Sequence, residues 1–163
     1  MDFFDVIEKR YSVRAYRPDP VEDEKLNRIL EAARLAPTAI NSQPFQILVI
    51  HTAGRQEELR KIYHREWFVQ PPLILGLCGI PSAAWVRGYD RRNYMDVDLA
   101  IVMDHIVLSA TALGLGTCFV AAFNVKAARE ILNIPEDIVP LLFTPLGYAA
   151  DQPPERERKQ LNE

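Results

Sequence analysis

Asp96 to Leu113 reads DVDLAIVMDHIVLSATAL, and after its first residue the only polar positions are Asp98, Asp104, His105, Ser109 and Thr111. A helix apolar on nearly every side leaves no face for water, so it lies at the centre of the fold or is covered by a partner subunit. The rest of the chain has to be arranged around it.

Downstream, GTCFVAAF (116–123) reads as a short strand and VKAAREILNI (125–134) as a short helix stopped by Pro135. IVPLLFTPLGY (138–148) is a last strand, with proline at an edge or a bulge. Upstream, PPLILGLCGI (71–80) carries the continuous apolar run of a strand buried on both faces. The irregular, exposed connection PSAAWVRGYDRRNY (81–94) joins it to the central helix. FQILVIH (45–51) is another strand, followed by a helix near 54–63. PDPVEDEKLNRILEAARLAP (18–37) opens on proline breakers and acidic first-turn residues, then sets Leu26, Ile29, Leu30, Ala33 and Ala36 at helical spacing. A short amphipathic helix over 2–9, N-capped by Asp2, turns Phe3, Val6 and Ile7 to one side. Helices and strands mix without strict alternation, which predicts an α+β fold layered around a largely antiparallel or mixed sheet.

With 163 residues and 48% hydrophobic content the chain can bury one sizeable core, so residues 1–163 are expected to form a single domain ending in a polar tail, 151–163. A formal charge of -3 argues against a nucleic-acid binder, which carries a net basic footprint. Cys78 and Cys118 are far apart, each in an apolar run, and fit neither a zinc site nor a disulfide framework. With no signal-like or membrane-length apolar run, the expectation is a cytoplasmic protein with no membrane partner.

Hydrolytic and metal chemistry find little support: there is no G-x-S-x-G, H-E-x-x-H or P-loop, and His51, His64 and His105 fall in separate elements. GLGTCF (114–119) follows a helix and lacks the third glycine of a dinucleotide fingerprint. Asp104, His105 and Cys118 read as structural. Two segments are harder to set aside. In KRYSVRAYRP (9–18) an extended backbone puts Arg10, Ser12, Arg14 and Tyr16 on one side, where two guanidinium forks and a hydroxyl can surround a phosphate. Taken alone, the same pattern also suits a solvated edge strand. In TAINSQP (38–44), Thr38, Asn41, Ser42 and Gln43 offer donors and acceptors that suit the polar rim of a heterocycle, or simply turn chemistry.

Together with ALGLGTCFVAAF and PLGYAADQPPERERK, the segments RYSVRAY and AARLAPTAINSQPFQ stand in an order and spacing that closely resemble the nitroreductase family of FMN-dependent oxidoreductases. The resemblance runs the length of the chain. It implies α/β/α layers around a mostly antiparallel mixed sheet, FMN as cofactor, NAD(P)H as co-substrate, and a homodimer with FMN at the subunit interface. It assigns Arg10, Ser12 and Arg14 to the FMN phosphate and ribityl chain. Thr38, Ala39, Asn41 and Gln43 would reach the flavin from the other subunit. Phe119, Val120, Ala121 and Ala122 would lie against the ring system, and Arg156 and Arg158 would close on the phosphate. Many relatives carry Glu or Gly where Ala121 and Ala122 stand, so ring contacts there are expected from the backbone. The stretch from Gly54 to Tyr94 is shorter than the substrate-covering region of larger relatives, which implies an open pocket.

The function so implied is hydride transfer from NAD(P)H through flavin N5 to nitroaromatics, quinones or similar small acceptors, with no catalytic side chain. A flavin carrier or redox sensor without efficient turnover is the alternative, and a non-enzymatic scaffold using the arginines as an interaction patch is a third.

Overall fold

The computed structural model describes residues 1–163. Its elements in chain order are α1 (Phe3–Lys9), α2 (Asp23–Arg34), β1 (Phe45–His51), α3 (Gln56–Leu59), β2 (Leu73–Gly79), α4 (Met95–Ala112), β3 (Gly116–Thr117), α5 (Val125–Leu132) and β4 (Val139–Gly147). The strands form one sheet in the order β1-β2-β4-β3, with every neighbouring pair antiparallel. One parallel bridge, Ser12 to Thr117, adds the N-terminal segment to its edge and makes the sheet mixed.

β2 is buried at every position, as its unbroken apolar run requires. Leu73, Leu75 and Leu77 join Ile29 and Ala33 of α2 and the inner side of α4 in the larger core. Ile74, on the opposite side of β2, packs with Phe143, Phe68, Leu59, Ile62 and Ala128 in a second cluster. The period-two alternation of a strand thus feeds two cores, giving helices above and below the sheet. α4 is central as its composition demands: Leu99, Val102, Met103, Ile106 and Ala110 are fully buried. Its opposite face is not. Val97, Ala100, Ile101, Asp104 and His105 line an open groove. No helix is long and apolar enough to cross a membrane.

Several local expectations change. The helix expected near 54–63 closes after one turn, Gln56–Leu59, and gives way to turns. The strand expected over 116–123 pairs regularly only at Gly116–Thr117, with a further isolated bridge from Val120 to Phe143. Proline explains the gap. The Phe143 amide points toward the β3 side, where it bonds Val120, so Pro145, two residues on, faces that side without an N–H. The Cys118 amide turns instead to Thr144 Oγ1 at 3.1 Å. Pro140 sits at the register shift opposite Cys78, the bulge that a proline in a strand calls for. In α1 Asp2 caps as expected, accepting from the Asp5 amide, but only Val6 is buried, and Phe3 and Ile7 face outward. Tyr16 leaves the arginine side and is buried, its hydroxyl donating to the Val13 carbonyl.

Candidate functional site

The segment 10–16 is fixed along the sheet edge by Val13, whose amide donates to the Thr117 carbonyl at 2.9 Å and whose side chain is buried. Val13 packs directly on Gly116, where a Cβ would come within 2.6 Å of it. Only glycine admits that approach. Arg10 and Ser12 are half-buried and Arg14 is exposed. Neither Arg10 nor Arg14 joins any of the eight ion pairs of the chain.

Cys118 ties this segment to the one after β3. Burial pushes its thiol up, while Arg14, Ser12 and Arg10 pull the other way. Beyond Cys118 the chain runs along the sheet with Val120 buried and Phe119, Ala121 and Ala122 exposed. The Val120 amide is engaged by the Phe143 carbonyl, whereas those of Phe119, Ala121 and Ala122 donate to no group of the chain. Two unpaired guanidinium groups and a hydroxyl thus lie on the segment bridged to Thr117, and three free amides follow within five residues of that bridge, a donor set matched to an anion with further hydrogen-bond acceptors attached.

The tail is fastened to the same place. The Arg14 amide donates to Asp151 Oδ2 at 2.8 Å, and the Tyr11 hydroxyl donates to Asp151 Oδ1 at 3.1 Å. Burial, then the Asp151 hydrogen bond and charge, push the Tyr11 hydroxyl up to about 12. Arg156 donates to the carbonyls of Glu8 and Arg10, closing the C-terminal end of α1, where a cation is favoured. Arg158 reaches only the Glu157 carbonyl.

The 38–43 turn is a second, separate feature. Ile40, Asn41 and Gln43 all have left-handed backbones, with φ of 50°, 57° and 48°. For a β-branched residue such as Ile40 this conformation is costly and must be imposed by surroundings. Three contacts impose it: Thr38 Oγ1 accepts from the Gln43 amide at 3.0 Å, Gln43 Nε2 donates to the Asn41 carbonyl at 3.2 Å, and Asp98 Oδ1 accepts from the Ala39 amide at 2.9 Å. Ile40, Asn41 and Gln43 are left exposed.

Within one chain these two features do not meet. The turn is held at Asp98 in the first turn of α4 and the arginine segment lies beyond its last, so the helix from Asp98 to Ala112 separates the two by about 21 Å.

Asp98 and Asp151 were not singled out among the sequence candidates. Asp98 did carry a signal, a carboxylate inside an otherwise apolar helix; it is 3% exposed, and its Oδ2 has no partner in the chain. Asp151 is masked by the polarity of the tail around it. His105, expected to be structural, has its Nδ1 3.0 Å from the Ile101 carbonyl one turn earlier in α4.

The sequence profile of the nitroreductase family matches residues 7–148. The FMN reductase (NAD(P)H) of Bacillus subtilis is 26% identical to this chain, over 90% of this chain and 66% of its own length. The NADH dehydrogenase of Thermus thermophilus is 28% identical, over 88% of this chain and 85% of its own. Among solved structures, a nitroreductase family protein of Clostridium difficile superposes with a TM-score of 0.90 at 35% identity, covering 99% of this chain and 95% of that one.

Proposed function

The chain belongs to the nitroreductase family of NAD(P)H-dependent oxidoreductases, and from that premise we propose that residues 1–163 form one FMN-binding domain that reduces nitroaromatics, quinones or similar small acceptors, acting as a homodimer in the cytoplasm. The observation that carries this reading is the pair of unpaired guanidinium groups, Arg10 and Arg14, flanking Ser12, on a segment bridged to the strand that leads into the free amides of Phe119, Ala121 and Ala122. The donor types match the parts of the cofactor. Arg10, Ser12 and Arg14 would hold the phosphate and ribityl chain, with Arg156 and Arg158 approaching from the tail. The exposed amides after Cys118 would face the ring system and stabilise negative charge there.

Bound FMN would supply the redox chemistry, hydride acceptance from NAD(P)H and electron delivery to the acceptor. The side chains bind and orient, and none is needed as an acid or base. Thr38, Ala39, Asn41 and Gln43 can join the same flavin only from a second copy, because their own chain holds them at the far end of α4. The half-apolar outer face of α4 is the natural seam for that copy.

The test is direct. Protein purified after incubation with FMN should retain the flavin's visible absorbance, lose it on NADPH or NADH addition without oxygen, and turn over steadily with an added quinone. Protein that binds no FMN overturns the reading. Reduction without turnover would favour the carrier alternative.

A further inference from the structure

Between β2 and α4 the chain invests unusual order in an exposed connection. Val86 pairs with Asn93, the Arg87 amide donates to the Arg92 carbonyl at 2.9 Å and the Arg91 amide to the Arg87 carbonyl at 3.0 Å, forming a tight hairpin. The Arg87 guanidinium grips both oxygens of Asp90 and also reaches the Tyr94 hydroxyl. Arg87 and Arg92 lie over the Tyr94 ring, at 5.2 Å and 5.4 Å from its centroid. Asn93 closes the base, its Nδ2 donating to the Pro81 carbonyl and its Oδ1 accepting from the Met95 amide at the start of α4.

This frame settles the charge balance. Arg87 neutralises Asp90 and holds its carboxyl below the usual carboxylate range. Arg91 and Arg92, both exposed, form no ion pair. Arg91 stands on a left-handed backbone, φ 59°, as a residue closing a tight hairpin loop does. The tip therefore presents two exposed guanidinium groups outside any ion pair, Arg92 held over the Tyr94 ring and Arg91 beside it, a donor pair suited to a phosphate dianion.

The hairpin is also tied to the turn expected to face the flavin. The Ile80 amide donates to the Pro44 carbonyl at 2.9 Å, directly after the 38–43 turn, and Asp98 in the first turn of α4 holds Ala39. The two loops share one support at the start of α4.

We propose that Arg91 and Arg92 bind the 2′-phosphate of NADPH and make this chain select NADPH over NADH. The inference rests on the proposed flavin function and names the reductant that function uses. NADH and NADPH share nicotinamide and pyrophosphate, so a preference has to come from a site for the one group that differs. A planar guanidinium pair is the side-chain chemistry that reads it.

The experiment compares kcat/KM for NADPH and NADH on FMN-loaded protein with a saturating quinone. The wild-type chain should favour NADPH. The pair Arg91→Asn and Arg92→Gln keeps a residue that tolerates the left-handed backbone while removing both charges. It should lower the NADPH-to-NADH ratio roughly ten-fold or more, mainly through KM, the loss of one or two charge-assisted hydrogen bonds. Arg92→Lys should lose only part of the preference. A wild type that favours NADH, or a ratio that moves less than about two-fold, overturns the proposal. If neither nucleotide is oxidised, the flavin reading has failed, and the site is still tested by calorimetry with adenosine 2′,5′-bisphosphate against 5′-AMP. Tighter binding of the bisphosphate that disappears in the double variant supports the site; equal binding of the two rejects it.

Discussion

The amide of Ala39 donates to Oδ1 of Asp98 at 2.9 Å, joining residues fifty-nine positions apart. It fastens a turn with three left-handed residues to the start of the central helix. Asp98→Ala removes the acceptor and leaves the amide without its bond, at a cost of about 1 to 3 kcal/mol. Asp98→Asn keeps an oxygen in place and replaces the unpartnered Oδ2 by an amide nitrogen. The alanine variant is therefore expected to be less stable in urea unfolding and to bind FMN more weakly than the asparagine variant. The opposite order would show that the bond does not hold the turn.

Gly116 and Arg14 separate support from contact. A Cβ at Gly116 would press on Val13, which is 1% exposed and has nowhere to move. Overpacking of this kind costs about 1 to 3 kcal/mol, so Gly116→Ala should lower Tm and flavin affinity together. Arg14→Ala removes an exposed guanidinium whose segment is held by the backbone. It should weaken FMN binding roughly ten- to hundred-fold while leaving Tm in place. Flavin affinity unchanged within about two-fold would remove Arg14 from the site.

The long elements could be read from the sequence because burial writes itself into composition. β2 shows it in an unbroken apolar run and α2 in a helical period ending at Pro37. The weak points were places where a tertiary contact overrides local pattern. Pro145 and Thr144 interrupt pairing after β3, which no alternation in GTCFVAAF announces. Tyr16 belongs by spacing with the arginines yet turns inward, because its hydroxyl finds the Val13 carbonyl. Of the candidate site, the donor types were visible and their support was not. Asp98 and Asp151 act across 59 and 137 positions of sequence, and local spacing says nothing about such partners.

Dimerisation and flavin binding should rise and fall together. Ala100 is exposed on the outer face of α4, so Ala100→Arg adds charge to the seam without touching the core. Sedimentation is expected to show a dimer for the FMN-loaded wild type and a monomer with depleted flavin for the variant. A monomer holding stoichiometric FMN at micromolar concentration would refute the two-chain site.

Cys78 gives the fold a dependence on alkaline pH. It is 1% exposed, and burial raises its thiol from 9.0 to about 11, with Arg129 opposing weakly. The unfolded chain releases this proton first, so its contribution is intact below about pH 9 and is lost as pH rises toward 11. The slope is at most about 1.4 kcal/mol per pH unit for one proton. Tyr16 and Tyr11 are also raised, and their losses begin higher. Urea unfolding between pH 8 and 10.5 should show stability falling more steeply for the wild type than for Cys78→Ala. Parallel curves would mean that the thiol does not control this limb.

The tail makes the last distinction, and where it is cut matters. It has little apolar surface to offset the entropy of ordering, so its position depends on a few specific partners. One is internal: Asp151 holds the Arg14 amide and the Tyr11 hydroxyl, so truncation after Ala150 would loosen the arginine segment whatever the rest of the tail does. Truncation after Pro154 keeps Asp151 and removes Arg156 and Arg158 together. Arg156 reaches the carbonyls of Glu8 and Arg10 through two of its nitrogens, which places its guanidinium at the end of α1 beside Arg10. If the tail closes on the FMN phosphate, the shorter protein should keep its Tm within a degree or two and lose flavin more readily, by roughly ten-fold in dissociation constant. Restoring Arg156 alone, by truncation after Glu157, should recover most of that affinity if Arg156 is the ligand and little of it if Arg158 is. Equal dissociation constants for all three lengths would make the tail a solvated strap and leave Arg10 and Arg14 as the phosphate ligands.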